Sequence, residues 1–295
     1  MAFLSTLFSQ VINGLQSGSI YALVALGYSM VYGIIMLLNF AHGDIIMVGA
    51  YVVWISTANF GFHPIVSILL AVVVSTVLGV VIEKVAYAPL RSSPRLSLLI
   101  TAIGISFLLE NGFQLIFGAG AKVVPDFLTG PSVHLGSATI SFSAIVTIVV
   151  TVAMMAGLTF LVQKTKLGKA MRAVSEDMGA AQLMGINLNT TISFTFAMGS
   201  ALAGVASVLY LSSYGQASPT MGSMLGLKAF VAAVLGGIGS LPGAMLGGFV
   251  IGMAEALVSA AGLSVWKDGV VFAILIIVLL VKPTGLMGKP MTEKV

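Results

Sequence analysis

The chain has 295 residues, of which 58% are hydrophobic and 7% charged, whereas soluble domains run at about 45–50% apolar and about 25% charged. That excludes a soluble core on a membrane anchor: residues 1–295 form one lipid-embedded domain, with room for some eight or nine helical spans of about 20 residues each. The net charge of +4 is no nucleic-acid signal, since Lys and Arg sit in loops where they set orientation, and with no Cys there is no disulfide, thiolate nucleophile or Cys metal site.

The start, Met1-Ala2-Phe3-Leu4, lacks a basic n-region and a small-residue cleavage site, so no removable signal peptide is expected. The first apolar run, Phe8–Leu38, carries Asn13, Gln16, Ser17 and Ser19, then Tyr21, Tyr28 and Tyr32. Such a stripe is costly against lipid, so it faces other helices or a path. The run ends in Leu38-Asn39-Phe40-Ala41-His42-Gly43-Asp44. Asp44 is placed to cap the helix that follows, favoured by the helix dipole. His42 reads as a hydrogen-bonded structural residue, with a pH-sensitive gate as the alternative.

Further spans are expected at Asp44–Ala58, Pro64–Lys84, Leu96–Phe117 and Phe142–Val162. Glu110 lies near the end of the third of these, suited to snorkelling or capping. Beyond it, Gly118–Ser141 forms a sparsely charged loop.

The segment Lys164 to Asn189 is different. It holds Lys164, Lys166, Lys169, Arg172, Glu176 and Asp177, a large share of the few charges. Met171, Val174, Met178 and Ala181 recur with helical spacing, so it reads as a short amphipathic helix offered to a partner. Spans follow at Thr191–Ser213, Met224–Leu235, Gly243–Ala261 and Gly269–Val281. Lys228, near the outer start of its helix, is expected to be interfacial, and Glu255, near a span end, to snorkel or cap.

A second interruption, Gly236 to Gly243, contains Gly239, Ser240 and Pro242. Paired interruptions, at Gly43/Asp44 and at Gly239/Pro242/Gly243, suggest an internal inverted repeat of the kind transporters use. Tight cytoplasmic hairpins are the plainer alternative. The fold class is therefore an all-α polytopic membrane protein with broken or short helices.

Most Lys and Arg fall in three loops, around Lys84/Arg91/Arg95, Lys164–Arg172 and Lys282/Lys289/Lys294. The positive-inside rule makes these cytoplasmic, along with the C-terminus. Counting back places the N-terminus outside if the first two runs are separate spans. There is no phosphate-binding G-x-x-x-x-G-K-[ST]. His42, His63 and His134 are scattered without ligand spacing, so no metal site is expected. Asn189-Thr190-Thr191 matches a glycosylation sequon but falls on the cytoplasmic side.

The motifs carry a resemblance. Ala180-Ala181-Gln182-Leu183-Met184-Gly185 is similar to the E-A-A-x-x-x-G signature by which ABC importer permeases dock their ATPase, with Gly179 where Glu would stand. Gly168–Ala173, Glu176-Asp177 and Met184–Ile186 resemble the version in branched-chain amino acid permeases. So do Tyr28–Ile34 with Leu38–Asp44, Gly226–Phe230 with Gly243–Gly248, Ala254–Ala256, and Pro283–Gly285. Almost the whole chain matches, in order, the LivH-type permeases of high-affinity branched-chain amino acid importers.

The resemblance implies a second, LivM-type permease, two cytoplasmic ATPases that hold ATP and Mg, and a periplasmic binding protein, all at the bacterial inner membrane. This chain would bind no cofactor and would not be an enzyme. Arg172, Glu176, Asp177, Met178, Ala180, Ala181 and Gly185 would form the ATPase-coupling surface, with Met178 and Ala181 laid in a groove. Asn13, Gln16, Tyr21, Asn39, His42 and Ser240 are the candidate path residues. A same-architecture permease for urea, amides or other amino acids, and a stand-alone ion-coupled transporter, remain the alternatives.

Overall fold

The computed structural model describes residues 2–36, 38–91, 93–135 and 138–288. Lys289 and Lys294 of the third basic loop lie outside them. The elements run α1 (Ala2–Ile35), α2 (His42–Trp54), α3 (Pro64–Ile82), α4 (Arg95–Phe117), β1 (Lys122–Val123), β2 (Val133–Leu135) and β3 (Ala138–Ile140). They continue with α5 (Phe142–Lys164), α6 (Lys166–Glu176), α7 (Met178–Leu183), α8 (Leu188–Tyr214), β4 (Gln216–Ala217), α9 (Met221–Gly236), α10 (Leu241–Ala260) and α11 (Lys267–Val281). Strand β1 pairs antiparallel with β4, and β2 with β3; Ala217 of β4 is fully buried in the core.

Seven helices among the described residues are long and apolar enough to cross a membrane. Helices α2 and α9 fall short, at 13 and 16 residues. The expected spans Asp44–Ala58 and Met224–Leu235 are thus abbreviated helices. A π-helical turn, Ile55–Asn59, extends α2.

Local chemistry sets the boundaries. Ser141, Thr165, Asp177, Asn187 and Ser240 each accept a backbone N–H from the first turn of the helix they precede, satisfying donors that the helix itself cannot. Pro64 and Pro242 stand in first turns, where no N–H is needed.

Helix α1 is the hub: 83% of its span is buried within the chain, against 11% for α4 and 6% for α11. The outer helices α4, α5 and α11 therefore turn their apolar faces to lipid or to another subunit. Helices α1 and α10 meet backbone to backbone. A Cβ at Gly252 would lie 2.3 Å from the Cα of Gly18, and one at Gly248 would lie 2.4 Å from the Cα of Ala22. The four-residue spacing of Gly14, Gly18 and Ala22 against Gly248, Gly252 and Ala256 is the small-residue pattern that lets membrane helices close up. Helix α3 packs against α8 in the same way, at Gly79 against Ser200 and at Gly204 against Val72.

The two interruptions lie at different depths. Gly33 approaches Gly239, so the second lies beside the end of α1. The first does not: a Cβ on Gly27 would be 2.4 Å from His42 Nε2. Gly27 lies eight residues before Ile35, or about 12 Å inside the bundle. The N-terminus that faces α2 is that of α9, not that of α10.

Candidate functional site

The basic segment folds as two helices, not one. Asp177 leaves the helical region (φ −158°, ψ 112°), and its carboxylate accepts the Ala180 N–H at 2.9 Å. An Asp that can cap a new helix competes with continuing the old one. The elbow between α6 and α7 changes which residues face outward. Met171 and Val174 on α6 are buried. Met178 is 41% exposed, and Ala181 only 3%. The expected placement of Ala181 in a partner's groove is therefore corrected: its side chain packs into this chain. Leu183 and Met184, 91% and 83% exposed, are the apolar groups that protrude. Counting the helical period separately on either side of Asp177 would have found them.

The other members of the set, Arg172, Glu176, Asp177, Ala180 and Gly185, are exposed. Arg172 also donates to the carbonyl of Val162, meeting an orphan acceptor at the end of α5. Gly185 (φ +83°) closes the turn after α7, donating to Gln182 O at 3.0 Å. Only glycine takes that conformation at little cost.

Helix α6 packs on α1, α5 and α8. A cleft lined by Gly33, Ile34, Met171, Arg172, Gly239 and Leu241 joins it to the end of α1 and to the second interruption. Elsewhere, Glu83 is fully buried at the end of α3. Arg91 pairs with it, Ser193 donates to it at 2.6 Å, and Arg91 also reaches Asn189 Oδ1 at 2.5 Å. This knot ties α3 to the start of α8, next to the elbow. Displacement of α6 and α7 would thus act on four spans at once. Sequence reading missed Glu83; a lone acid at a basic span end was its signal.

The path candidates do not line one surface. Asn13 is exposed. Gln16 donates to Ser213 at 2.8 Å and Ser17 lies 3.4 Å from the Tyr214 hydroxyl, so this stripe joins α1 to α8. Ser240 caps α10 at the far end. Tyr21 donates to Glu255 Oε2 at 2.7 Å.

Glu255 also ion-pairs with Lys228 at 2.6 Å, and Lys228 with Asp268 at 2.7 Å. Lys228 and Glu255 are both buried, which corrects the interfacial and snorkelling placements. Their opposite charges satisfy one another among α1, α9, α10 and α11. Ser223 donates to Glu110, which is thus bound to α9 rather than snorkelling.

Asn39 and His42 do come together deep in the bundle. Asn39 accepts from Tyr87 at 2.8 Å, and the His42 ring lies 4.9 Å from that of Tyr28. Among the described residues His42 Nε2 has no hydrogen-bond partner, so the hydrogen-bonded reading is corrected at that atom. Asp44 stands in the first turn of α2 rather than at its N-cap; that position is Ala41, whose methyl group can accept no hydrogen bond.

Comparison with known proteins fits this architecture. The family model described as the permease component of branched-chain amino acid transport systems matches residues 10–279. The chain is 45% identical to the high-affinity branched-chain amino acid permease BraD of Pseudomonas aeruginosa, covering 97% of each protein. It is 44% identical to LivH of Escherichia coli K12, again over 97% of each. A LivH-type permease of Methanocaldococcus jannaschii is 30% identical over 92% of this chain and 89% of its own length. No solved structure matches. With near-complete coverage by the family model and by these relatives, the chain belongs to the permease components of branched-chain amino acid transport systems.

Proposed function

We propose that this chain is the permease subunit of an ABC importer that carries leucine, isoleucine and valine across the bacterial inner membrane. The observation that carries the reading is 44–45% identity over 97% of the chain to permeases of that activity. The elbow supports it. Leu183 and Met184 stand out beside the capped turn at Gly185, suited to insertion in an apolar groove of a cytoplasmic ATPase. Two such ATPases would bind and hydrolyse ATP. A related LivM-type permease would complete the pore, and a periplasmic binding protein would deliver substrate.

The basic ends at Lys84/Arg91, Lys164–Arg172 and Lys282 would face the cytoplasm, with the C-terminus on the same side. Closing of the ATPases would push α6 and α7 as one piece, and through α1, α3, α5 and α8 would shift the inner ends of the spans. In allosteric terms the elbow is the element whose position both the ATPase and the path bias.

The test is uptake in liposomes by the complete complex with its binding protein, using labelled leucine with isoleucine, valine and urea as competitors. Uptake that isoleucine and valine suppress and urea does not is expected. Uptake of urea but of none of the three amino acids overturns the assignment in favour of an amide permease. Uptake that persists without the ATPases favours an ion-coupled carrier.

A further inference from the structure

Where the ends of α1 and α8 and the start of α4 meet the elbow lies a cavity of about 80 Å³, lined by Ile35, Tyr87, Leu98, Met178, Ile192 and Phe196. One water takes up about 10–15 Å³ of such space, so a whole apolar side chain fits. Tyr87, Ile192 and Phe196 form a buried wall. Met178, the first residue of α7, borders the same cavity yet is 41% exposed, so much of its side chain stands outside. An unbranched thioether is the side chain best able to enter an irregular gap. Entry is also favourable, because atoms lining a gap lack neighbours on one side.

The wall leads to the first interruption. Tyr87 packs its ring 5.5 Å from that of Phe196 and donates its hydroxyl to Asn39 Oδ1 at 2.8 Å. The backbone carbonyl of Asn39 in turn accepts the N–H of His42, where α2 begins, at 3.0 Å. Tyr87 also closes a π-helical turn, Glu83–Tyr87, that follows α3. Such turns are rare and concentrate at functional sites. Its other end, Glu83, is held by Arg91 and Ser193, and Arg91 touches the cavity as well. One side chain from the elbow therefore faces a residue that holds the turn before α2.

We propose that Met178 is the positioning residue that carries movement of the elbow to the first interruption. When α7 is pushed toward the bundle, Met178 enters the cavity and displaces Tyr87, which shifts Asn39 and the start of α2. The inference rests on ATPase docking at Leu183 and Met184, proposed above, and names the route beyond that contact. Met178 outside and Met178 inside are two discrete packings, the kind of element on which coupling between sites depends. The alternative carrier is α8, which packs on both α2 and α7. A shift carried by α8 alone needs neither the cavity nor the Tyr87 hydroxyl, and that difference is measurable.

The test uses the complete complex in liposomes, driven by leucine-loaded binding protein. Leu98→Phe fills part of the cavity. Cavity filling ordinarily keeps or raises stability, so the melting temperature of the solubilised protein should not fall. ATP hydrolysis should persist, while leucine delivered per ATP falls about tenfold. Tyr87→Phe keeps the ring but releases Asn39, and should lower the same ratio by a similar factor. The two together should do no more than the worse one alone, because both cut one route. The chain has no Cys, so Met178→Cys/Leu98→Cys gives a clean cross-linking pair. Its disulfide, read by mass spectrometry, should form in the complex trapped with ATP and vanadate and far less without nucleotide. A normal leucine-to-ATP ratio in either Leu98→Phe or Tyr87→Phe leaves α8 as the carrier and overturns the proposal. A disulfide yield that nucleotide does not change overturns it too, and decides the matter if a variant fails to assemble. ATPases that do not co-purify with the unmutated permease sink the docking reading itself, a result visible before any variant is made.

Discussion

Replacing Lys228 with Met should destabilise the protein far more than replacing it together with its partner. Lys228 Nζ lies 2.6 Å from Glu255 and 2.7 Å from Asp268, with side-chain exposures of 7%, 9% and 39%. Asp268 can turn to water, so its pair with Lys228 is discounted as screened. Glu255 cannot: without Lys228 it keeps one hydrogen bond, from Tyr21. Stranding one member of a buried pair costs about 3–5 kcal/mol. Lys228→Met/Glu255→Gln removes both charges, and the amide oxygen still accepts from Tyr21. The double variant should therefore recover about 2 kcal/mol or more relative to the sum of the single ones. Unfolding in mixed dodecyl maltoside–SDS micelles, followed by far-UV circular dichroism, measures all four corners of the cycle. Single and double variants that add without coupling, or a Lys228→Met cost below about 1 kcal/mol, would refute the claim that the ion pair is buried and mutually required.

Gly252→Leu forces a side chain into the 2.3 Å contact with Gly18. Overpacking of this kind costs about 1–3 kcal/mol or more, and should appear as a lowered melting temperature of the solubilised protein. Leu183→Asp with Met184→Asp should abolish co-purification with the ATPases while membrane insertion stays normal; retained co-purification would remove the elbow from the docking surface. Asp177→Ala removes the cap of α7 at a cost of about 1 kcal/mol; Asp177→Asn, which can still cap, should restore coupled uptake. Tyr87→Phe leaves the buried Asn39 oxygen without its donor, an expected loss of about 1–3 kcal/mol, readable in the same micelle titration.

Much of the architecture was legible because lipid leaves few options. Long apolar runs can only be helices there, and each of the seven full-length helices lies on a run visible in the sequence. The family motifs located the elbow and the first interruption. Facing was less legible. One continuous period across Asp177 put Met171, Val174, Met178 and Ala181 on one face offered to a partner, whereas that face packs into this chain at Met171, Val174 and Ala181, and past the cap Met178 turns outward. The polar candidates Gln16, Tyr21 and Ser240 were grouped by type, but Gln16 bonds to α8, Tyr21 to Glu255 late in α10 and Ser240 to the first turn of α10. The pair Lys228 and Glu255 was hidden because no local pattern joins residues on two helices. The depth of the first interruption was hidden as well, since hydropathy reports how long a run is and not where it re-enters.

The length of α1 has a consequence outside the protein. Its 34 residues span about 51 Å, against about 30 Å of hydrocarbon. Bound along α10 by glycine contacts, it cannot kink freely to absorb the excess. The helix must lean, or lift its first turns clear of the acyl chains on the side away from the basic ends. Either way the bundle senses bilayer thickness. Liposomes of long-chain lipid should hold α1 more upright than thin ones, making acyl-chain length a control on transport rate that alters no residue.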